Sequence, residues 1–235
     1  MRKSSKSPNT SSKLPNAPLA EVVFELRWKL AGDESIPAPF RPDPGYYVCL
    51  DAFFATAEKL GFRVSKRVNP SLIATGHSVD FRFYKSEADG FPLLQLGPGI
   101  FAVNESSAYT WVKYKKLCLE GLKGFLSSYP KLTKSTFEFT QLELKYIDAF
   151  KAHTGNASDY LEFLNSSTNL SLALPEFLRS RAVGSIQNGQ VAMTYPVSGA
   201  KDTLFSFSLG RAAVSGVQSI VLETKVITTF AQPST

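Results

Sequence analysis

The chain has 235 residues, of which 43% are hydrophobic and 20% charged, and it carries 26 basic against 20 acidic residues for a net charge of +6. That length buries roughly 70% or more of the unfolded surface without a metal or disulfide staple, which excludes disordered, fibrous and disulfide-rich classes for the whole chain. Four of the bases, Arg2, Lys3, Lys6 and Lys13, fall in residues 1–17, so the body is close to neutral, which weakens a nucleic-acid-binding reading of the net charge.

The opening MRKSSKSPNTSSKLPNA is rich in Ser, Lys, Asn and Pro and offers little to bury, which predicts a disordered basic tail over 1–17. It has no apolar run of the kind a secretory signal needs. The chain nowhere holds 18 consecutive apolar residues, so no membrane span and no membrane partner are expected. With no export signal, Cys49 and Cys118 are expected reduced and the protein cytoplasmic.

Residues 20–30, AEVVFELRWKL, alternate. Val22, Phe24, Leu26, Trp28 and Leu30 share one side, and Glu21, Glu25, Arg27 and Lys29 the other, which predicts a half-buried strand. Pro37, Pro39, Pro42 and Pro44 mark an exposed loop. From Tyr46 to Leu60 the positions Leu50, Phe53, Phe54, Ala57 and Leu60 repeat at helical spacing up to Gly61. Residues 62–105 read as an antiparallel meander, with turns at Asn69-Pro70, Gly76, Asp89-Gly90 and Gly97-Pro98-Gly99.

Between Tyr109 and Tyr129 the residues Trp111, Tyr114, Cys118, Leu122, Phe125, Leu126 and Tyr129 form one apolar stripe, ended by Pro130. Lys113, Lys115, Lys116 and Lys123, with Lys131 and Lys134 beyond, supply a basic flank. The pattern then begins again with a strand over 136–150, short helices over 158–166 and 175–182, and strands over 185–230 with turns at Asn188-Gly189 and Gly199.

The repeated order of elements predicts an α+β fold made of two related β-α-β(n)-α halves, 18–132 and 136–235, within a single domain. Phe24-Glu25-Leu26-Arg27-Trp28 and Leu142-Glu143-Leu144-Lys145-Tyr146 share apolar, acid, apolar, base, aromatic at an offset of 118. The same offset sends the helix 109–129 to roughly 227–247, past Thr235, so the second half is expected to lack its last helix. A sheet surface left uncovered that way predicts self-association or a protein partner. The whole is expected as a saddle-like antiparallel sheet with helices on one face, in the manner of the TATA-binding protein's duplicated fold.

PLAEVVFELRW at 18–28, LQLGPGIFAVNE at 94–105 leading to Tyr109 and Trp111, and LELKYIDAF at 142–150 resemble three landmarks of a sporadically distributed prokaryotic family. That family carries no established activity, and its members usually continue through a further helix after the last strand. The resemblance implies one fold over most of the chain, suggests a regulatory or defence-associated role, and supplies no catalytic residue.

Local signatures for chemistry are sparse. His77 and His153 lie in turn or loop sequence without a nucleophile signature, and no metal-ligand spacing occurs, so no cofactor is expected. One constellation stands out because it occurs three times: Glu25 and Arg27, Glu143 and Lys145, Glu223 and Lys225. Residues two apart on a strand share a face, so three neighbouring strands would gather these pairs into one charged surface.

The plain structural account makes these residues cross-strand ion pairs on a solvated face, at about 0.2–1 kcal/mol each. The functional account makes them a binding surface for a protein partner or, less readily given the balanced charge, a nucleic acid. The enzymatic alternative is a Mg-dependent phosphohydrolase of nucleotide or triphosphate type. It is weakened by Val23, which stands where the acid-rich strand of triphosphate tunnel metalloenzymes wants a carboxylate.

Overall fold

In the computed structural model, the described residues are 18–32, 35–68, 74–106, 109–129, 138–151, 166, 176–181 and 190–230. They form an α+β domain around one antiparallel sheet. The strands are β1 (Leu19–Trp28), β2 (Val64–Arg67), β3 (Phe81–Tyr84), β4 (Leu93–Gly97), β5 (Ile100–Glu105), β6 (Phe139–Lys151), β7 (Gln190–Pro196), β8 (Thr203–Val214) and β9 (Val217–Thr229). Their order across the sheet is β2-β3-β4-β5-β1-β6-β9-β8-β7. Helix α1 (Pro44–Lys59) follows β1, α2 (Trp111–Ser128) follows β5, and a single helical turn, α3 (Glu176–Arg179), precedes β7. None of these helices is long and apolar enough to cross a membrane.

The predicted alternation of β1 holds, and it decides which way the sheet faces. Val22, Phe24 and Trp28 join the core beneath α1 and α2, whereas Glu21, Glu25 and Arg27 project from the opposite side. The same face of β3, β4 and β5 supplies Phe83, Leu94, Leu96, Phe101 and Val103 to that core. Phe53 of α1 meets the Phe83 ring edge-on at 5.3 Å, and Phe125 of α2 stacks on Phe101 at 5.5 Å. The two helices approach closely where Gly124 passes Thr56: a Cβ on Gly124 would lie 2.4 Å from the threonine methyl.

Helix α1 starts at Pro44, two residues before the expected start, because Asp43 caps it: its carboxylate accepts from the Tyr46 N–H at 3.1 Å. The prolines before it are exposed as expected, but Asp43 among them is buried. Helix α2 ends at Tyr129, whose extended backbone is what a residue preceding proline adopts. The expected α2 stripe is corrected at two positions. Tyr114, Cys118, Gly121 and Phe125 are buried, while Trp111 is 49% and Leu126 43% exposed. The buried arc is narrower than the run of apolar residues, so the outer ones turn to solvent.

The 97–99 turn joins β4 to β5 as expected, with Gly99 at φ +73. The β8–β9 hairpin closes through Ser215 and Gly216, both at positive φ, the mirror-image turn that suits twisted strands. Asn69-Pro70, Asn188-Gly189, the tail 1–17, His153, and the 158–166 helix except Ser166 lie outside the described residues.

Strand order is mirrored about the β1/β6 seam. Outward from it, each side runs through its first strand, its last strand, and then the preceding ones in reverse. Glu25 sits directly opposite Glu143, with Phe24 opposite Leu144 and Leu26 opposite Leu142. A local two-fold through the Glu25/Glu143 pair therefore carries residue i to i+118 along these strands. The sides are unequal, since five strands lie on one and four on the other. Where the offset of 118 begins a second helix, Ile227, Thr228 and Thr229 are instead the end of β9.

Candidate functional site: a charged sheet face

The face turned away from α1 and α2 collects all six residues of the three acid and base pairs. Register fixes this without reference to side-chain detail, because directly opposed residues of an antiparallel pair point to the same side. Glu25 and Arg27 on β1, Glu143 and Lys145 on β6, and Glu223 and Lys225 on β9 lie on three adjacent strands. The segments 18–28, 94–105 and 142–150 map onto β1, the β4–β5 hairpin and β6, four neighbouring strands at the middle of the sheet.

Ion pairing runs along the strands. Arg27 Nε donates to Glu25 Oε1 at 2.6 Å, Lys145 Nζ lies 3.6 Å from Glu143, and Lys225 Nζ lies 3.2 Å from Glu223. Across the strands the register opposes like charges: Glu25 faces Glu143, and Lys145 faces Lys225. The expected cross-strand salt bridges are therefore replaced by pairs within each strand. Directly opposed like charges are destabilising, each by roughly 0.2–1 kcal/mol. Exposure sharpens this, since the side chains of Glu25 and Glu143 are only 16% and 12% exposed and are less screened than surface groups.

Read across the strands, the charges form rows of alternating sign: Arg27, then Glu25 with Glu143, then Lys145 with Lys225, then Glu21 and Glu223. The lysine row continues outward through Ser206 on β8 and Thr194 on β7, whose hydroxyls lie 3.3 Å apart.

A second part of this face escaped the sequence reading. Arg82 Nε donates to Gln95 Oε1 at 3.1 Å, Gln95 Nε2 donates to Asn104 Oδ1 at 2.6 Å, and Asn104 Nδ2 donates to Glu21. This relay crosses β3, β4, β5 and β1 and brings a guanidinium and a carboxylate to its two ends. Gln95 and Asn104 are buried, so their amides are spent on one another and held in fixed orientation. The available signal was a single amide in each of two largely apolar strands, LLQLG and IFAVNE.

Two buried carboxylates lie elsewhere and belong to the scaffold. Asp43 accepts from the Trp28 indole and the Gly99 amide at 2.9 Å each, and from the Tyr129 hydroxyl at 2.5 Å. Asp80 accepts from the Tyr46 hydroxyl and from Arg67 Nε, both at 2.8 Å. His77 is partly buried, with Nε2 3.0 Å from the Trp28 carbonyl oxygen, a structural position. Among the described residues no three His, Cys, Asp or Glu side chains converge as a metal site would require. The basic flank of α2 is present as four exposed lysines, Lys113, Lys115, Lys116 and Lys123; Lys131 and Lys134 lie outside the described residues.

The chain matches no known family model and no curated protein.

Proposed function

We propose that the chain is a non-enzymatic recognition module, which binds a protein partner of mixed charge through the face carrying Glu25, Arg27, Glu143, Lys145, Glu223 and Lys225. The observation that carries this is the opposition of like charges at the centre of the face. An arrangement that costs folding free energy where a register-compatible alternative exists is a feature of binding surfaces rather than of solubilising ones.

Rows of alternating sign complement a surface patterned in the same way. They suit a polyanion poorly, because Glu21, Glu25, Glu143 and Glu223 share the face and repel phosphate. The mirrored strand order and the two-fold register support an origin by duplication, with the functional face straddling the seam. A regulatory or defence-associated role follows the family likeness, which brings no assigned activity with it.

The experiment is a native mass spectrum of protein purified gently from its host, with a Lys145→Glu/Lys225→Glu variant beside it. The expected result is an added polypeptide mass that the variant loses. Retardation of DNA or RNA at low salt by the same face, or phosphate release from ATP or triphosphate with Mg²⁺, would overturn the reading.

A second contact surface is favoured by one observation. On the helix side of the other half, Leu144, Val226, Phe205 and Tyr195 form a row across β6, β9, β8 and β7. Val226, Phe205 and Tyr195 are 38%, 36% and 49% exposed. Such a row supports self-association, and the same spectrum reports it as a dimer mass that Phe205→Ser removes.

A further inference from the structure

The outer face of α2 carries a pattern that neither surface above uses. Val112, Leu119 and Leu126 are 78%, 56% and 43% exposed and recur every seven residues. Between them lie Lys116 and Lys123, also exposed, so the solvent-facing seam reads Val112, Lys116, Leu119, Lys123, Leu126 at spacings of four, three, four and three. Seven residues bring a helix back to within about 20° of the same direction, so these five side chains form one straight ridge roughly 20 Å long.

We infer that this ridge docks an acidic amphipathic helix of a partner protein. The spacing is that of a two-helix seam, in which apolar side chains of one helix enter holes of the other. The charge selects the partner. Lys113, Lys115, Lys116 and Lys123 are exposed on α2, and Glu120, which pairs with Lys116 at 3.7 Å, is the one acid in the helix.

A second copy is disfavoured as the occupant, because it brings the exposed Lys113, Lys115, Lys116 and Lys123 of two helices together with only Glu120 on each to offset them. A partner helix with apolar residues at the matching positions and Glu or Asp beside them meets the ridge with opposite charge throughout. A lipid surface is less suited, since lysines interrupt the apolar row and leave it one side chain wide.

The test titrates the full chain with a synthetic three-heptad peptide carrying Leu at the seam and Glu on its flanks, and with the same peptide carrying Lys on its flanks. Trp111, beside the ridge and half exposed, reports binding by fluorescence. Expected is binding of the acidic peptide alone, weakened at least about tenfold by Leu119→Gln, by Lys116→Glu/Lys123→Glu and by high salt. These positions are exposed, so the variants keep the fold, which far-UV circular dichroism verifies. Absence of binding, equal binding of both peptides, or indifference to the variants overturns the inference. So does adsorption to phosphatidylcholine vesicles with about 30% phosphatidylserine when the peptide is not bound, which would assign the ridge to an anionic membrane.

Discussion

Asp43→Ala is expected to lower unfolding free energy by about 3–5 kcal/mol, because three buried donors lose an acceptor at about 1–3 kcal/mol each. Asp43 is 3% exposed and stands where four elements meet. It caps α1 through the Tyr46 amide, receives the Trp28 indole at the end of β1, holds the Gly99 amide in the β4–β5 turn, and ties down Tyr129 at the end of α2. The Tyr46 amide also reaches the Asp43 carbonyl oxygen, at 3.1 Å, and that contact survives the substitution. The donors of Trp28, Gly99 and Tyr129 are deprived of this acceptor together. Asp43→Asn should lose about half as much, because each carboxylate oxygen accepts two of these bonds and the amide NH₂ takes the place of one oxygen. Urea denaturation followed by Trp28 fluorescence measures both, and a loss below about 1 kcal/mol for Asp43→Ala would remove Asp43 as the keystone of the helix-covered half.

The next largest effect is expected from alkali. Burial pushes the Cys49 thiol up to about 12, with Asp43 nearby adding to the shift, and burial pushes Cys118 up to about 12 despite a hydrogen bond with Tyr114 that opposes it. The Tyr46, Tyr114 and Tyr129 phenols are likewise raised above their ordinary range, first by burial, and for Tyr46 and Tyr129 also by bonding to Asp80 and Asp43. Each folded value exceeds the unfolded one. The associated stability is therefore complete below the unfolded value and is lost as pH rises toward the folded value.

Each thiol removes about 1.4 kcal/mol per pH unit beyond its unfolded pKa, so the pair removes roughly 3 kcal/mol by about pH 10. Urea midpoints taken from neutral pH to about pH 10 should fall steadily, and a Cys49→Ala/Cys118→Ala variant should fall less. A flat profile, or native thiols that ionise near the free value, would contradict the buried placement of both cysteines.

Much of the sheet was legible because its strands obey a period of two with charges on one side. β1 shows why: every second residue from Val22 to Trp28 is apolar, and the structure puts Val22, Phe24 and Trp28 against the helices. The grouping of Glu25, Glu143 and Glu223 with their bases followed from period alone, once the three strands proved adjacent.

The partnering within that group was not legible, because it depends on register. A shift of two residues on β6 keeps every side chain on its face and yet sets Glu25 opposite Lys145 in place of Glu143. Hydrophobicity cannot choose between these alternatives. The relay through Gln95 and Asn104 was missed for a related reason, since amides alone do not disturb an apolar run enough to mark a site. Asp43 was hidden among prolines that correctly read as exposed loop, although Asp before Pro44 is itself a helix-start signal. On α2 the apolar residues outnumber those one packed face can hold, and sequence spacing alone put Trp111 and Leu126 inside.

The measurement that bears most directly on the charged face is the stability of the exchange variant Glu143→Lys/Lys145→Glu, determined at low salt together with partner binding. Composition, net charge and the pairing along β6 are all preserved. Glu25 gains an opposing cation across the β1/β6 seam and Lys225 an opposing carboxylate across the β6/β9 pair, so two repulsive contacts become attractive. A binding face held in a costly arrangement predicts a gain of about 1–2 kcal/mol in stability, with loss of the added partner mass in the native spectrum. A variant that is less stable than the native chain, and that keeps its partner, would show the native pattern to be a solubilising surface and would contradict the proposed role.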